Sequence, residues 1–539
     1  MKVQLRTLVA LDFLQAASCG IFIEGGNGIL RNGEAGLSIK LHKKFLKRKK
    51  DAIISLKVVN NGKKAVRINS LIVADLEIST PEFTQVLENG WGQSSFSGYK
   101  KISDRTKKKR LFLQRDQNPF SFNPQFGYVR NSIISEWYTE LIGEGLSIVI
   151  GAITTQFAFS QIFVKQEKQQ LKLRLSCQLD GFILKPGQTV QSELFAVLAG
   201  LPTETLNRFA LLLKKYSGPR KLPKSFSGFC SAYYHQGNKV GEDDVLKELS
   251  IIDTWPNNKR FDYFQIDAGY SVWGDWLESR NSFPLGMKQV TFAIKKRGMK
   301  AGIWLAPFVA SPYSNLYKKH PEWFLKNKKG EAFEGRLTSP FDILPMSKLR
   351  VLDVTQLAVQ RHLAKVIKYF VRQGFEFLKL DFLYPVCFST NYHKTMTRVQ
   401  ALRLGLNIIK KAAGKKVCLM SGISQLSPLV GLVDSVRIGM DTTNPYSYHK
   451  WFISRFVNEW MLRENLRNAK SRQFLNNRVW LNDVDCLVTS PKSGLSQKLI
   501  DEHHIYIKKY GGSRWFGDSL VSLSKINYKK YIANFFRVK

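Results

Sequence analysis

Short runs in which apolar and polar residues alternate fill the first 200 residues of the chain. Two of the longest are DAIISLKVVNNGKKAVRINSLIV (51–73) and LKLRLSCQLDGFILKPGQTVQSELFAVLAG (171–200). Alternation with a period of two predicts strands with one buried face, and the Asn-Gly and Pro-Gly pairs within these runs mark hairpins. We therefore predict an N-terminal antiparallel β-sandwich over residues 1–215.

The pattern changes after YSGPRKLPKSF (216–226), which is typical of a linker. Apolar runs typical of buried parallel strands now alternate with stretches of helical periodicity, such as 357–374 and 396–414. The strand candidates are GFCSAYY (228–234), FDYFQIDAG (261–269), MKAGIWLAPF (299–308), FEFLKLDFL (375–383), KVCLMSGI (416–423), DSVRIGMD (434–441), RVWLNDVDCL (478–487) and GGSRWFGDSL (511–520). Strand–helix units repeated in this number are typical of a (β/α)8 TIM barrel, which we predict for residues 216–539.

Charged residues interrupt two of these strand candidates near their ends, where the chemistry of such barrels is located. Lys379 and Asp381 are two residues apart in an otherwise apolar run, and Arg437 and Asp441 are four apart in a later one. Side chains at even spacing on a strand share a face, so we expect each pair to point into the barrel mouth. Because burying an unpaired charge is costly, we also expect each carboxylate to lie beside the cation of its own strand.

The net charge of +40, from 82 Lys and Arg against 42 Asp and Glu, permits binding to nucleic acid or another polyanion. However, the excess is spread along the chain, and its densest runs, 40–51 and 104–110, match no nucleic-acid motif. We therefore expect a solvated basic surface and no nucleic-acid partner.

The 6 cysteines are scattered without paired spacing, which argues against a disulfide framework and a structural zinc site. Asp12 interrupts the N-terminal apolar run, and no segment has the ~18 uncharged apolar residues of a membrane helix, so we expect no membrane partner and a cytoplasmic location. Adjacent helical residues face apart, so His503 and His504 are expected at the surface rather than as metal ligands. We expect no metal and no cofactor, and the sequence leaves a homo-oligomer open.

Two carboxylates beside cations, without a phosphate loop or a serine or cysteine nucleophile motif, favour glycoside hydrolysis over other reaction classes. Aromatic residues near the same strand ends suit the apolar face of a sugar; they are Tyr270, Trp273, Trp276 and Trp304. The predicted substrate is accordingly a small glycoside or an oligosaccharide.

Six segments, in this order, resemble the α-galactosidases of glycoside hydrolase family 36, clan D, of the melibiase type. They are GFCSAYYHQG, FQIDAGYSVWGDW, AGIWLAPF, FLKLDFL, VDSVRIGMDT and RVWLNDVDCL. The resemblance covers about residues 80–520, and ENGWGQSSFSGY (88–99) resembles a loop of the family's N-terminal domain whose tryptophan reaches the active site.

This resemblance implies retaining hydrolysis of terminal α-D-galactosides by two carboxylates. By their motifs, Asp381 matches the family's nucleophile and Asp441 its acid/base. The positions that match sugar-binding residues of the family are Trp91, Asp267, Trp304, Lys379 and Arg437.

Three features depart from the family pattern. Ala268 follows Asp267 where the family has a second acidic residue, Ala232 stands in place of a tryptophan, and residues 421–425 lack the family's Cys and Gly pattern. The expected galactose subsite is therefore short of one carboxylate, unless a loop residue such as Asp275 supplies it.

The sequence leaves three alternatives to α-galactoside hydrolysis. They are hydrolysis or transglycosylation of another α-linked sugar, such as an α-N-acetylgalactosaminide, a carbohydrate-binding pseudoenzyme, and a polyanion-binding protein. The presence of both Asp381 and Asp441 argues against the pseudoenzyme. Because the chain ends at Lys539, soon after the eighth strand candidate, we expect the C-terminal β-domain to be absent or reduced.

Overall fold

The computed structural model describes residues 18–535 with internal gaps. The residues outside the description are 1–17, 24–28, 47–50, 80–82, 103–131, 168–169, 219–220, 235–239, 257–258, 328, 336–347, 444–450, 534 and 536–539. The chain forms two compact units, of which the first consists of Met1–Pro219, Lys394–Arg403 and Gln425–Val430, and the second of Arg220–His393, Leu404–Ser424 and Gly431–Lys539. No helix in the described part of the chain is both long and apolar enough to cross a membrane.

The first unit is built from antiparallel strands. Those described are β1 (Ser18–Ile23), β2 (Ile29–Leu30), β3 (Leu37–Phe45), β4 (Ala52–Asn60), β5 (Val66–Ser79), β6 (Phe83–Asn89), β7 (Ser97–Lys101), β8 (Ser132–Glu136), β9 (Tyr138–Gly143), β10 (Leu146–Ala152), β11 (Phe159–Glu167), β12 (Gln170–Leu184), β13 (Thr189–Gln191) and β14 (Phe195–Gly200). One sheet has the order β2-β1-β5-β12-β11-β8, and the other has the order β13-β4-β14-β10-β9-β6-β7, with β3 also paired to β4. This architecture confirms the predicted β-sandwich; helix α1 (Glu204–Ser217) follows it.

Strand β12 shows why the alternating pattern folds in this way. Leu171, Leu173 and Leu175 are buried, while the residues between them, Lys172 and Arg174, are partly exposed. Because successive side chains of a strand point to opposite faces, the leucines form one apolar face that the sheet buries against the core.

The second unit contains a closed barrel of parallel strands. The strands of this part of the chain are β15 (Phe226–Cys230), β16 (Tyr263–Ile266), β17 (Lys300–Leu305), β18 (Val309–Ala310), β19 (Glu334–Gly335), β20 (Leu349–Val351), β21 (Phe377–Leu380), β22 (Cys418–Ser421), β23 (Ser435–Arg437), β24 (Leu481–Leu487) and β25 (Ser513–Phe516). The barrel order is β15-β16-β17-β21-β22-β23-β24-β25, and β18, β20 and β19 form a small separate sheet. Every predicted barrel strand is present, which confirms the TIM barrel.

Helices separate most of the barrel strands, as the sequence predicts, but a 3-10 turn at Ser427–Leu429 stands between β22 and β23. The helices are α2 (Glu242–Asp253), α3 (Gly286–Lys296), α4 (Asn315–Lys319), α5 (Leu357–Gln373), α6 (Arg398–Ala413), α7 (Trp451–Ser471), α8 (Gln497–Tyr510) and α9 (Lys525–Asn527). In α5 the buried residues Val359, Leu363, Val366 and Phe370 recur every three or four positions, so they form one apolar stripe. Gly374 ends this helix with φ of +101°, a left-handed conformation that glycine adopts without strain.

Aromatic side chains fill the lower part of the barrel interior. The ring of Phe226 packs edge-on against Tyr263, Phe377 and Trp515, with centroids 4.8, 6.0 and 5.8 Å away. A Cβ atom at Gly228 would lie only 2.1 Å from the Trp515 ring, so only glycine leaves room for that indole. The barrel is therefore closed below by apolar packing, and the charged residues of the same strands lie above it.

Candidate active site

Asp381 lies directly after strand β21, and three N–H groups hold its carboxylate. Oδ2 accepts a hydrogen bond from Nε1 of Trp304 at 2.9 Å. Oδ1 accepts from the backbone N–H groups of Phe382 at 2.9 Å and Ile423 at 2.6 Å. The residue is 8% exposed, so these donors fix the orientation of its carboxylate at the end of the strand.

Gly422 makes the close approach to Asp381 feasible. A Cβ atom at this position would lie 2.5 Å from Oδ1 of Asp381, inside any acceptable contact distance. The backbone N–H of Gly422 donates to the carbonyl of Leu380 at 2.7 Å, which brings Ile423 into position as a donor to Asp381. The segment 421–425, which departs from the family pattern, thus holds the predicted nucleophile through its backbone.

Lys379 pairs with Asp267 and not with the carboxylate of its own strand, so our expectation for Asp381 was wrong. Nζ of Lys379 lies 2.9 Å from Oδ2 of Asp267. Residues two apart on a strand are separated by about 6–7 Å along it, whereas the long lysine side chain crosses the barrel interior past β17 to reach β16. Burial alone would lower the pKa of Lys379, but the negative charge of Asp267 outweighs it and raises that pKa well above its ordinary value.

Protein donors occupy both oxygens of Asp267. In addition to Lys379, Oδ2 accepts from Nε2 of Gln265 at 2.8 Å and is 3.6 Å from Sγ of Cys230, and Oδ1 accepts from the N–H of Ala268 at 2.9 Å. Ala268, the next residue in the chain, is buried with 5% exposure.

Asp275 does not replace the carboxylate that Ala268 lacks. Its Oδ2 accepts from the backbone N–H of Asn315 at 2.8 Å, and its Oδ1 accepts from that of Leu316 at 2.9 Å. Both oxygens therefore cap the start of α4, and Asp267 is the acidic residue that this strand end provides.

Arg437 connects three carboxylates around one guanidinium group. Nη1 lies 2.9 Å from Oδ1 of Asp441, Nε lies 2.7 Å from Oδ2 of Asp483, and Nη2 lies 2.7 Å from Oδ1 of Asp485. The predicted pairing of Arg437 with Asp441 is confirmed. Each nitrogen of the guanidinium lies beside one carboxylate, so Arg437 orients Asp441. The sugar-binding role that the resemblance implies for Arg437 stays a prediction.

Asp441 lies at the mouth of the barrel, where 42% of its side chain is exposed. The protein that surrounds it limits hydration of its charge, and this desolvation, together with the negative charge of Asp485, raises the pKa of Asp441 to about 6. The charge of Asp381 acts in the same direction, and the charge of Arg437 opposes the shift. Asp441 can therefore release and take up a proton near neutral pH.

The aromatic residues predicted at the rim pack mainly on one another. The rings of Trp273 and Trp304 have centroids 4.9 Å apart, and Trp276 lies 6.0 Å from Trp304. Tyr270 is 1% exposed and donates its hydroxyl to the carbonyl of Trp304 at 2.9 Å. Their main role in this structure is to hold Trp304, the residue that donates to Asp381.

Comparison with known proteins finds sequences and structures similar to this chain. The melibiase family model matches residues 251–399. α-Galactosidase AgaA of Geobacillus stearothermophilus is 36% identical over 63 residues, which cover 12% of this chain and 9% of that protein. The probable α-galactosidase G of Emericella nidulans is 23% identical over 309 residues, which cover 51% of this chain and 39% of that protein. Over part of its length, the chain is therefore similar to α-galactosidases of the melibiase type.

The fold of the chain matches that of solved α-galactosidase structures over most of its length. TtGalA, an α-galactosidase from Thermus thermophilus solved in complex with p-nitrophenyl α-D-galactopyranoside, superposes with a TM-score of 0.68 at 20% identity. The match covers 92% of this chain and 95% of that chain. By sequence, the chain spans less than half the length of the curated relatives it matches. The sequence matches thus relate part of the chain to α-galactosidases, the solved structures share its fold, and the activity of this chain is a proposal.

Trp91 belongs to the first unit of the chain. It is 4% exposed, its ring packs edge-on against Phe159 at 5.4 Å, and its carbonyl accepts from the N–H of Leu426 at 3.2 Å. The sugar-binding role that the family resemblance implies for Trp91 stays a prediction.

Two participants in the site, Asp485 and the backbone at Gly422, are absent from the set predicted from the sequence. Asp485 stands in the motif RVWLNDVDCL, two residues after Asp483, and even spacing on a strand could have identified it. Gly422 follows the strand candidate that contains Cys418, and a glycine at a barrel strand end is a weak sign of close approach.

Proposed function

We propose that the protein is a retaining glycosidase that hydrolyses terminal α-linked sugars, most directly α-D-galactosides. The observation that carries this proposal is the contrast between two carboxyl groups of one barrel. N–H donors alone hold Asp381, whereas Asp441 has a pKa of about 6 and is exposed at the mouth. Such a pair supplies the nucleophile and the acid/base of a double displacement.

In the first step, a carboxylate oxygen of Asp381 attacks the anomeric carbon of the bound sugar. The bond between that carbon and the glycosidic oxygen breaks, and the protonated Asp441 donates its proton to the departing oxygen. The products of this step are the free aglycone and a glycosyl ester on Asp381, and Asp441 is left ionised.

In the second step, the ionised Asp441 takes a proton from a water molecule that attacks the same anomeric carbon. The ester bond to Asp381 breaks, which regenerates its carboxylate and releases the sugar. Two inversions at one carbon give net retention. These steps require no metal and no cofactor, and the cytoplasmic location and a homo-oligomer stay predictions from the sequence.

Galactosides are the substrates that we propose first, because TtGalA was solved with p-nitrophenyl α-D-galactopyranoside and also with stachyose. A specific observation favours a second candidate, another α-linked sugar: the buried residue Ala268, next to Asp267 in the chain, carries no carboxylate, and Asp275 is engaged in capping α4. With one carboxylate fewer after strand β16, the sugar-binding pocket suits a sugar that differs from galactose in the substituent bound there.

A panel of p-nitrophenyl glycosides tests the proposal and separates the candidates. It should contain the α-galactoside, the α-N-acetylgalactosaminide, the β-arabinopyranoside and the α-glucoside, each with the parent protein and with Asp381→Ala as the blank. We expect the highest kcat/KM on the α-galactoside. If another α-glycoside were preferred, the second candidate would replace the first, and if none were hydrolysed above the blank, the proposed function would be wrong.

Restoring the missing carboxylate should improve activity on galactosides. A hydrogen bond to a charged group contributes roughly 1.5–3 kcal/mol, so we expect Ala268→Asp to raise kcat/KM on an aryl α-galactoside about tenfold or more. Ala268→Asn is the matched control, because it adds similar volume and a neutral amide and should give a smaller gain. If Ala268→Asp matches or falls below the parent on α-galactosides, the pocket does not lack a carboxylate.

A further inference from the structure

Asp485 lies in a β-bulge of strand β24 and has an uncommon backbone conformation. The pairing of β24 with β25 shifts register between Asp483 and Cys486, and φ of Asp485 is +69°. Aspartate and asparagine tolerate this left-handed region better than most residues that carry a side chain. The side chain of Asp485 is 0% exposed, so a carboxylate is fully buried beside the predicted acid/base.

Groups from three parts of the second unit hold this carboxylate, one by an ion pair and two by hydrogen bonds. Oδ1 lies 2.7 Å from Nη2 of Arg437. Oδ2 accepts from the hydroxyl of Tyr233, and it accepts from the backbone N–H of Thr442 at 2.6 Å. Thr442 directly follows Asp441 in the chain, and Arg437 is the cation that Asp441 contacts. Asp485 therefore fixes Asp441 both through its backbone and through its side-chain partner.

Several charged or titratable groups surround Asp441 and Asp485. From the neighbouring strands, loops and helix they are Arg437, Asp483, Lys379, Asp381, Tyr233, Cys486 and His503. Burial would raise the pKa of Asp485, but the charge of Arg437 and the hydrogen bond from Tyr233 lower it below its ordinary value. Asp485 therefore keeps its negative charge.

Three carboxylates carry more negative charge than one guanidinium group can balance. If one of the three carboxyl groups keeps its proton, the repulsion among them is smaller. Among the described residues, Asp441 has one hydrogen-bond donor, Nη1 of Arg437, whereas Asp485 has two, Tyr233 and Thr442, and in addition the ion pair with Nη2 of Arg437. Asp483 also has two donors, Nε of Arg437 and the N–H of Asp485. Asp441 thus has the fewest donors of the three and faces the barrel mouth, so we place the proton on it.

We propose that Asp485 is a positioning residue that holds Asp441 in place and, through its buried negative charge, keeps Asp441 protonated as the acid for glycoside cleavage. The role of Asp441 as that acid rests on the proposed function. The arrangement of the three carboxylates does not depend on it.

Asp485→Asn tests the proposal because it removes the negative charge and keeps the size of the side chain. Asparagine tolerates φ of +69°, and its one oxygen can still accept from the N–H of Thr442, while its NH2 group then faces Arg437. Without the neighbouring negative charge, Asp441 should lose its proton at lower pH. We expect the alkaline limb of the kcat/KM profile to shift to lower pH by on the order of one unit. At pH 7, this shift lowers kcat/KM about tenfold on a galactoside with a poor leaving group.

Two comparison variants separate charge from packing. Tyr233→Phe removes a hydrogen bond to Asp485 but leaves its charge, so the alkaline limb should stay within about 0.3 pH units of the parent. Asp501→Asn removes a carboxylate that pairs with Lys530 at 2.6 Å on the surface, and it should change neither the limb nor the activity. If Asp485→Asn lowers kcat with an unmoved limb, Asp485 has only a structural role and the proposal is overturned.

A direct titration makes the result independent of turnover. The carboxyl carbon of Asp441 can be followed by NMR in protein labelled with [13Cγ]aspartate, with Asp441→Asn used for assignment. We expect the midpoint of the Asp441 titration to be lower in Asp485→Asn than in the parent. If the asparagine variant fails to fold, Asp485→Gly replaces it, because glycine adopts the same backbone conformation, and the same lower midpoint is expected. An equal midpoint in a folded variant contradicts the proposal. Absence of glycosidase activity in the parent contradicts only the proposed function.

Discussion

Replacing Asp381 by alanine is expected to lower kcat/KM by at least about 10⁴-fold on every glycoside that the protein hydrolyses. No glycosyl ester can form without this carboxylate, so activated and unactivated substrates should lose activity alike. Asp381→Asn is the matched variant, because its amide oxygen can still accept from the N–H groups of Phe382 and Ile423. It should fold as the parent does and be equally inactive.

External azide offers a positive test of the same prediction. In Asp381→Ala, azide can enter the space that the carboxylate leaves and attack the anomeric carbon of a dinitrophenyl α-galactoside. We expect turnover to recover and the product to be the β-galactosyl azide, since one displacement inverts the centre. Substantial activity of Asp381→Asn without azide would show that another group is the nucleophile.

Replacing Asp441 by alanine should divide substrates by their leaving groups. We expect a loss of about 10²–10⁴-fold in kcat/KM on melibiose or raffinose, whose alkoxide leaving groups need a proton. A dinitrophenyl α-galactoside should lose less than about tenfold in its first step, because that leaving group departs without protonation. Equal losses on both classes would remove Asp441 from the acid role.

The pH dependence of activity should change when Asp441 is replaced by asparagine. Because the raised pKa of Asp441 is about 6, its acid form is present below that pH and is lost above it. In the parent, kcat/KM on unactivated galactosides should therefore fall on the alkaline side of pH 6, about tenfold per unit. Asp441→Asn, which has no proton to lose, should not show this limb.

Periodicity alone identified the barrel and all of its strands, but it extended them too far. The predicted run 375–383 contains the observed strand Phe377–Leu380, and the chain leaves the sheet at Asp381. Phe382 then has φ of +49°, a left-handed conformation rare for a bulky residue. Apolar composition does not reveal such a turn, because Phe382, Leu383 and the strand residues are equally hydrophobic.

The partners of the charged residues were predictable only where they are near in sequence. Arg437 and Asp441 are four residues apart, and their contact follows from the spacing. Lys379 and Asp267 belong to strands separated by β17, and no sequence pattern indicates that one lysine reaches across the interior. Asp485 depends in the same way on a bulge that brings it to Arg437.

The expectation for His503 was wrong for a related reason. The residue is 1% exposed, and Nε2 lies 2.9 Å from the carbonyl oxygen of Val484. Burial lowers the pKa of His503 to about 4, so it is neutral at physiological pH. His503 and His504 do face apart because they are adjacent in helix α8, but adjacency does not show which of the two side chains is buried.

The anomeric configuration of the first-formed product tests the two-carboxylate mechanism most directly. Proton NMR recorded during the first minutes of hydrolysis of p-nitrophenyl α-D-galactopyranoside distinguishes the two anomers before they interconvert. Double displacement through Asp381 predicts α-galactose as the initial product, with the β-anomer appearing later by mutarotation. β-Galactose as the initial product would contradict the assignment of Asp381 as a covalent nucleophile.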